Sequence, residues 1–356
     1  LTAFLDIDLA AIQANWTVLD GMHPGETAGV VKADAYGLGA LQVGPALAAV
    51  GCKTFFTAHL AEAVALRAVL PVQKIAVLNG LFPWAPAEFC AHDLIPVINS
   101  LADVIRWRAH ARELGRALPC FLLLETGMHR LGLMEAELAK LREDPALLEG
   151  LRVEVVMSHL VASDVPDDPN NPRQTKHFYE LAKQFPGVKT SLANSSGMFL
   201  GGDYHRDLAR PGAALYGLNP QPGRQNPMRP VVTLKAPILQ IHDVKPGETV
   251  GYCGVWRAER PSRVATIGAG YADGYPRILT NAATAYFDDT PVPLVGRVSM
   301  DLSNFDVTDV HAAPGDMLTL IGPRHDADAL AAQAQTIGYE ILTALGRRYA
   351  RRYAGA

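Results

Sequence analysis

Between residues 28 and 218, short β-branched or apolar runs alternate with amphipathic stretches, and the strand-like run recurs eight times. The first run ends at Lys32. The others fall at 54–57, 75–78, 95–98, 119–124, 153–157, 189–193 and 208–209, with helical patterns such as 60–70, 102–114, 135–142 and 174–185 between them. Strands joined by helical crossovers run parallel, because a tight turn reverses the chain and a long crossover does not. Eight such units predict a closed (β/α)8 TIM-type barrel. An open doubly wound sheet is the competing arrangement, but it rarely needs eight equivalent units.

Beyond Pro230 the texture changes. Short β-rich runs at 231–244, 262–267, 284–287 and 317–321 are separated by turns such as Pro246-Gly247 and Pro314-Gly315, and no long helical period returns until 327–345. This predicts a mostly antiparallel β domain. The expected division is a barrel over residues 9–228 and a β domain over 229–356, with the opening strand 1–8 joining the second domain.

Bulk properties narrow the function. Of 356 residues, 49% are hydrophobic and 19% charged, enough for large cores and too apolar for disorder. A net charge of −4 with no long basic run argues against nucleic acid. No apolar stretch approaches the roughly 18 residues of a membrane span. Cys52, Cys90, Cys120 and Cys253 are scattered without metal-ligand spacing, so no metal site is expected and a reduced, cytoplasmic setting fits. The chain starts at Leu1 and not at methionine, which leaves a leader open.

In such a barrel the working residues stand at the carboxyl ends of the strands. There the sequence places Lys32, Asn79, the segment 125–130 with Arg130, His159, Asn194-Ser195 and Arg210-Pro211-Gly212. Each has an ordinary reading: a snorkelling lysine, a satisfied core histidine, structural ion pairs for the arginines, a helix cap for Asn194-Ser195. Together they have a chemical logic. A lysine withdrawn from water is easier to deprotonate, and its neutral amine forms a Schiff base with an aldehyde. Ser195 with Gly212-Ala213 offers a phosphate nest. His159 offers a flat stacking surface, and Arg210 a partner for a ring nitrogen. Amine, nest and ring partner point to pyridoxal 5'-phosphate; a flavin or sugar phosphate would use the nest without needing Lys32.

The ordered motifs Asp6-Ile7-Asp8-Leu9, Val30 to Gly39, Glu125-Thr126-Gly127-Met128-His129-Arg130-Leu131-Gly132, Ser158-His159-Leu160, Ala193-Asn194-Ser195-Ser196-Gly197, Arg210-Pro211-Gly212, Gly268 to Arg277 and Gly296-Arg297-Val298-Ser299-Met300-Asp301 closely resemble bacterial alanine racemases across nearly the whole chain. The resemblance implies a pyridoxal-phosphate enzyme of fold type III that interconverts L- and D-alanine and supplies D-alanine for the cell wall. It implies a head-to-tail homodimer in which each β domain completes the partner's site. On that basis Lys32 holds the cofactor and acts as one acid/base, and Tyr271 from the other subunit acts as the second. Tyr36, Ser195, Gly212 and Ala213 bind the phosphate, His159 stacks near the ring, and Arg210 meets the ring nitrogen. Arg130 contacts the ring hydroxyl and the substrate carboxylate, Asn194 is an accessory contact, and the Met300 amide of the partner meets the same carboxylate. Two bases are a physical requirement, because one lysine cannot reach both faces of a planar carbanion.

Three positions depart from the family pattern. Leu123 stands where many members have a lysine, so something else must orient Arg130. Ser299 replaces a common cysteine, and a second site tyrosine is expected near Arg347, with Tyr349 able to serve after a shift. The rival readings are a broader-specificity racemase of the same fold, a decarboxylase of the same two-domain plan, and a non-catalytic pyridoxal-phosphate carrier. Arg210 and Tyr271 argue against the decarboxylase, and the β domain argues against the carrier.

Overall fold

Several strands of the first sheet are buried on both faces, which is why they read as unbroken apolar runs: every residue of Thr54–Thr57 and Ile95–Ile98 is buried. The computed structural model describes residues 3–355; Leu1 and Thr2 of the expected first strand lie outside the described residues. Seven parallel strands follow in chain order: Gly29–Val30, Thr54–Thr57, Lys74–Val77, Ile95–Ile98, Leu118–Leu123, Leu151–Met157 and Lys189–Ser191. The eighth, Leu208–Ala209, pairs in parallel with Glu26–Thr27, just ahead of the first strand. On its other side the Asp207 amide bonds to Thr190 at 3.0 Å and the Arg210 amide to Ala193 at 2.9 Å, so the circle closes.

Helices cover the outside of the barrel. Ser100 caps Leu101–Leu114 by accepting from the Asp103 amide, and Gly115 ends that helix at φ 62°. Asp8 caps Leu9–Met22 in the same way, and that helix buries Ile12, Trp16 and Leu19 at helical spacing.

Strand Phe4–Asp8 leaves the barrel. It pairs antiparallel with Val232–Val244 and parallel with Ala350–Ala354, inside the second sheet. Val232–Val244 is the spine of that sheet: residues up to Pro237 pair with Met317–Ile321, those from Ile238 with Ser262–Ile267, and the register shifts between Ile238 and Gln240. Ser262–Ile267 in turn pairs with Ser303–Asp306, and Thr284–Phe287 with Thr290–Pro293. All of these pairings except Phe4–Asp8 with Ala350–Ala354 are antiparallel. One apolar core runs from the barrel into this sheet, so the two parts are packed against each other.

The helical pattern over 327–345 is not one helix. It divides into Ala327–Gln333 and Gly338–Ala344, broken where Gln335 turns to φ 54°. The second of these lies over the barrel mouth, next to the turn that follows Lys32.

Candidate active site

Gly29–Val30 ends two residues before Lys32, and the chain then enters a turn of the wrong hand. Ala33, Asp34, Ala35 and Tyr36 have φ of 53°, 54°, 53° and 56°. Left-handed backbone costs about 1–2 kcal/mol per residue for a side chain with a Cβ, so four in succession need outside support. Support comes from the Ala35 amide on Val31 (2.9 Å), the Gly37 amide on Ala33 (2.8 Å) and the Gly39 amide on Asp34 (2.8 Å). Gly37, at φ 85°, has a further reason to lack a side chain, since a Cβ there would strike the Leu342 carbonyl of the β domain. Arg351 reaches across from the last strand to the Gly37 carbonyl at 3.0 Å.

This turn forms one wall of a cavity of about 680 Å³ at the carboxyl ends of the strands. Lys32, Tyr36, Arg130, His159, Asn194, Ser195, Arg210, Gly212 and Ala213 all line it. Tyr271 and Met300 do not; they are 42% and 54% exposed on the β domain.

Arg210 follows strand Leu208–Ala209 directly and is buried, donating through Nη1 to Ser191 Oγ and through Nη2 to the Ser158 carbonyl, each at 2.5 Å. Burial pulls its pKa down to about 10, with no acid offsetting the cost. Arg210 is thus held by two serines, and Gln174 Nε2 donates to the His159 carbonyl at 3.2 Å. The His159 ring shows part of its surface to the cavity but lies far from bulk water. Burial first, then the charges of Arg210, Arg130 and Lys32, lower its pKa to about 3, so it is neutral at neutral pH. Burial also lowers the Lys32 pKa; Arg130 and Arg210 add to the effect and Glu62 opposes it.

The opposite end of the cavity is a cradle. Ser195 Oγ accepts from the Gly212 amide (3.0 Å) and the Ala214 amide (3.2 Å), which leaves its own proton to donate. Tyr36 packs against Tyr216 with ring centroids 4.7 Å apart and planes tilted by 33°, and its hydroxyl lies against Gly212, where any Cβ would collide with it. Asn194, which also lines the cavity, has its Oδ1 engaged, accepting from Ser163 Oγ (2.9 Å) and the Gly197 amide (2.8 Å). Lys32, Arg130 and Arg210 stand with a neutral imidazole in a cavity whose lining also holds Glu125 and Glu340; of these, Glu125 is already occupied by the Gly127 and His129 amides, which leaves the cations available to an anionic occupant.

The family model for the alanine racemase N-terminal domain matches residues 7–220, and the model for the alanine racemase C-terminal domain matches 231–353. The chain belongs to the alanine racemase family. An alanine racemase of Acidiphilium cryptum is 57% identical over 98% of this chain and 97% of that protein. A catabolic alanine racemase of Agrobacterium fabrum is 46% identical over 98% and 91%. Among solved structures, Bartonella henselae alanine racemase with covalently bound pyridoxal phosphate superposes with TM-score 0.96 at 41% identity, covering 99% of this chain and 100% of that one.

Within that family, two departures read from sequence resolve differently. The tyrosine expected near Arg347 is elsewhere: Arg347 is exposed and does not line the cavity, and Tyr349 is buried away from it. Tyr339, from Gly338–Ala344, lines the cavity and lies 5.9 Å from the Tyr36 ring. It stands earlier in the chain than the C-terminal run around Arg347, just past the break at Gln335. Leu123 does line the cavity beside Arg130, and the exposed Arg130 makes no hydrogen bond or ion pair among the described residues.

A further tyrosine emerges on the β domain. Tyr252 is 70% exposed and sits between Gly251 (φ 73°) and Cys253 (φ 62°), with Gly254 at φ 52°. The backbone of this turn abuts Arg297, while the Tyr271 and Ala272 amides bond to Ser299 (3.0 Å) and Met300 (2.9 Å). Tyr252, Tyr271 and Met300 therefore share one edge of the domain. Nothing in the local sequence pattern marks Tyr252, because only the fold shows it unpacked.

Proposed function

We propose that the protein is an alanine racemase that interconverts L- and D-alanine with pyridoxal 5'-phosphate, each site being completed by a second copy of the chain. The carrying observation is the cavity that gathers Lys32, Arg130, Arg210 and neutral His159 at one end and the Ser195–Gly212–Tyr36 cradle at the other. The residues fit the cofactor. A doubly negative phosphate suits a cradle that excludes a Cβ, and a buried guanidinium with no acid offsetting its burial suits a ring nitrogen as acceptor.

When bound, pyridoxal phosphate supplies an aldehyde carbon for the amine and a conjugated ring that accepts the electron pair left by the α-proton. Lys32 would anchor it and exchange the α-proton on one face. Ser195 and Tyr36 would donate to the phosphate beside the backbone of Gly212 and Ala213, His159 would offer the ring a neutral surface, and Arg130 would orient the substrate carboxylate. Arg210 remains charged and donates without giving up its proton, which limits how far negative charge is drawn into the ring.

The second acid/base is a tyrosine of the partner's β domain. Two exposed tyrosines stand on the edge that carries Met300. Tyr252 is favoured because it is the more exposed and because strained backbone projects it, as strain at functional positions often does. Tyr271 is the second reading. A dimer is further supported by apolar side chains left bare near the mouth (Phe82, Trp84, Val161) and on the β domain (Ile278, Met300), which a head-to-tail pair would cover. The four cysteines are free thiols, which supports a cytoplasmic location. No described helix is long and apolar enough to cross a membrane.

Solvent deuterium exchange at the α-carbon separates the two tyrosines. Tyr252→Phe is expected to abolish racemisation while Lys32 still exchanges the proton of one enantiomer; Tyr271→Phe retains exchange from both. The reverse pattern assigns the role to Tyr271, and unimpaired racemisation by both variants removes a tyrosine base from the account.

A further inference from the structure

The left-handed turn after Lys32 is tied to the rest of the barrel by one carboxylate. Glu62 Oε1 accepts from the Ala33 amide at 2.7 Å, the peptide that leaves Lys32. Its Oε2 accepts from the amides of Ala58 (2.9 Å) and His59 (3.1 Å), just beyond strand Thr54–Thr57. Glu62 is the third residue of helix Leu60–Arg67, and its bond to His59 is the ordinary cap of that helix. The bond to Ala33, 29 residues earlier, adds nothing to the cap. It fixes the peptide at the start of four strained residues, where a small rotation would swing the lysine out of the cavity.

We infer that Glu62 is a positioning residue for Lys32: its carboxylate clamps the left-handed turn to the neighbouring strand end and sets one negative charge against the amine. The inference rests on Lys32 being the cofactor-bearing amine. The titratable and charged groups around the mouth that holds Lys32 come from every side: Glu125 and Arg130 after Leu118–Leu123, His159 after Leu151–Met157, Arg210 after Leu208–Ala209, Tyr339 and Glu340 of Gly338–Ala344, Tyr36 on its own turn, and Glu62. Of the charged groups acting on the amine, Arg130 and Arg210 disfavour its protonation, and Glu62 is the one that favours it. With its oxygens held by three amides, the carboxylate cannot turn to make a direct ion pair, so it acts as a fixed charge and a clamp together.

The test uses wild type, Glu62→Gln and Glu62→Asp. Lys32 is titrated in cofactor-free protein by the pH dependence of its acetylation, read by peptide mass spectrometry. Thermal midpoints are recorded, and kcat and KM are measured on the loaded enzyme. Glu62→Gln removes the charge, and with one acceptor oxygen it can hold either Ala33 or the Ala58–His59 pair but not both; the Lys32 midpoint is expected to move down by about half a unit or more. Its kcat should fall roughly tenfold or more at little-changed KM, with a thermal midpoint no lower than that of Glu62→Asp. Glu62→Asp keeps the charge but is too short to hold Ala33 and His59 together; it should leave the Lys32 midpoint near wild type and lower kcat. A wild-type Lys32 midpoint in Glu62→Gln, or thermal loss in both variants with Lys32 titrating normally, overturns the inference. Borohydride reduction of the loaded wild type is the control: failure to find the cofactor on Lys32 there defeats the reading of Lys32 itself, whatever Glu62 does.

Discussion

Replacing His159 by glutamine should remove a specific part of the protein's acid sensitivity. His159 is held at a pKa of about 3 by burial and by Arg210, Arg130 and Lys32, whereas an unfolded histidine titrates near its reference value of about 6.5. The folded value is the lower one, so between these limits the unfolded chain binds more protons and stability falls as pH falls. The contribution is fully present above the unfolded value. At pH 5 the loss from this one ring is about 2 kcal/mol, and it approaches about 5 kcal/mol only near pH 3. Glutamine keeps a planar polar group but cannot titrate. Urea unfolding of cofactor-free protein at pH 8 and pH 5 should therefore show wild type losing about 2 kcal/mol more than His159→Gln. His23 and His325, also lowered by burial, contribute equally to both proteins and cancel in the comparison. Parallel losses in the two proteins would refute the claim that this imidazole is kept neutral by its burial and the cations around it.

Other consequences follow from the same geometry. Gly212→Ala must push the Tyr36 hydroxyl out of the phosphate cradle, and pyridoxal-phosphate affinity measured by fluorescence titration should fall roughly tenfold or more, the worth of one charge-assisted hydrogen bond. Unchanged affinity would place the phosphate elsewhere. Mixing inactive Lys32→Ala with inactive Tyr252→Phe subunits under exchange conditions should restore roughly a quarter of wild-type activity, because half the dimers are mixed and each has one intact site. No recovery would count against sites shared between subunits.

The barrel was legible because its strands are buried on both faces and so announce themselves as apolar runs, as at Thr54–Thr57 and Ile95–Ile98. The polar residues that follow each run then had to share a mouth, which is why Lys32, His159, Ser195 and Arg210 could be grouped before any coordinates. What was not legible depends on backbone that breaks its local pattern. The left-handed turn at Ala33 to Tyr36 contains no glycine until Gly37, so its hand is set by tertiary partners such as Glu62 and Arg351. The break at Gln335 turns one expected helix into two and brings Tyr339 to the cavity. The sequence names Tyr271, through its motif Gly268 to Arg277, and leaves Tyr252 unmarked; exposure and the strained backbone around Tyr252 favour the latter.

The central claim is that Lys32 carries the cofactor in a cavity built for it. Loading the protein with pyridoxal phosphate, reducing with borohydride and mapping the modified peptide tests it directly. The account predicts a phosphopyridoxyl group on Lys32, blocked when Lys32 is replaced by alanine. A label on another lysine, or none on a folded protein that racemises alanine, would contradict it.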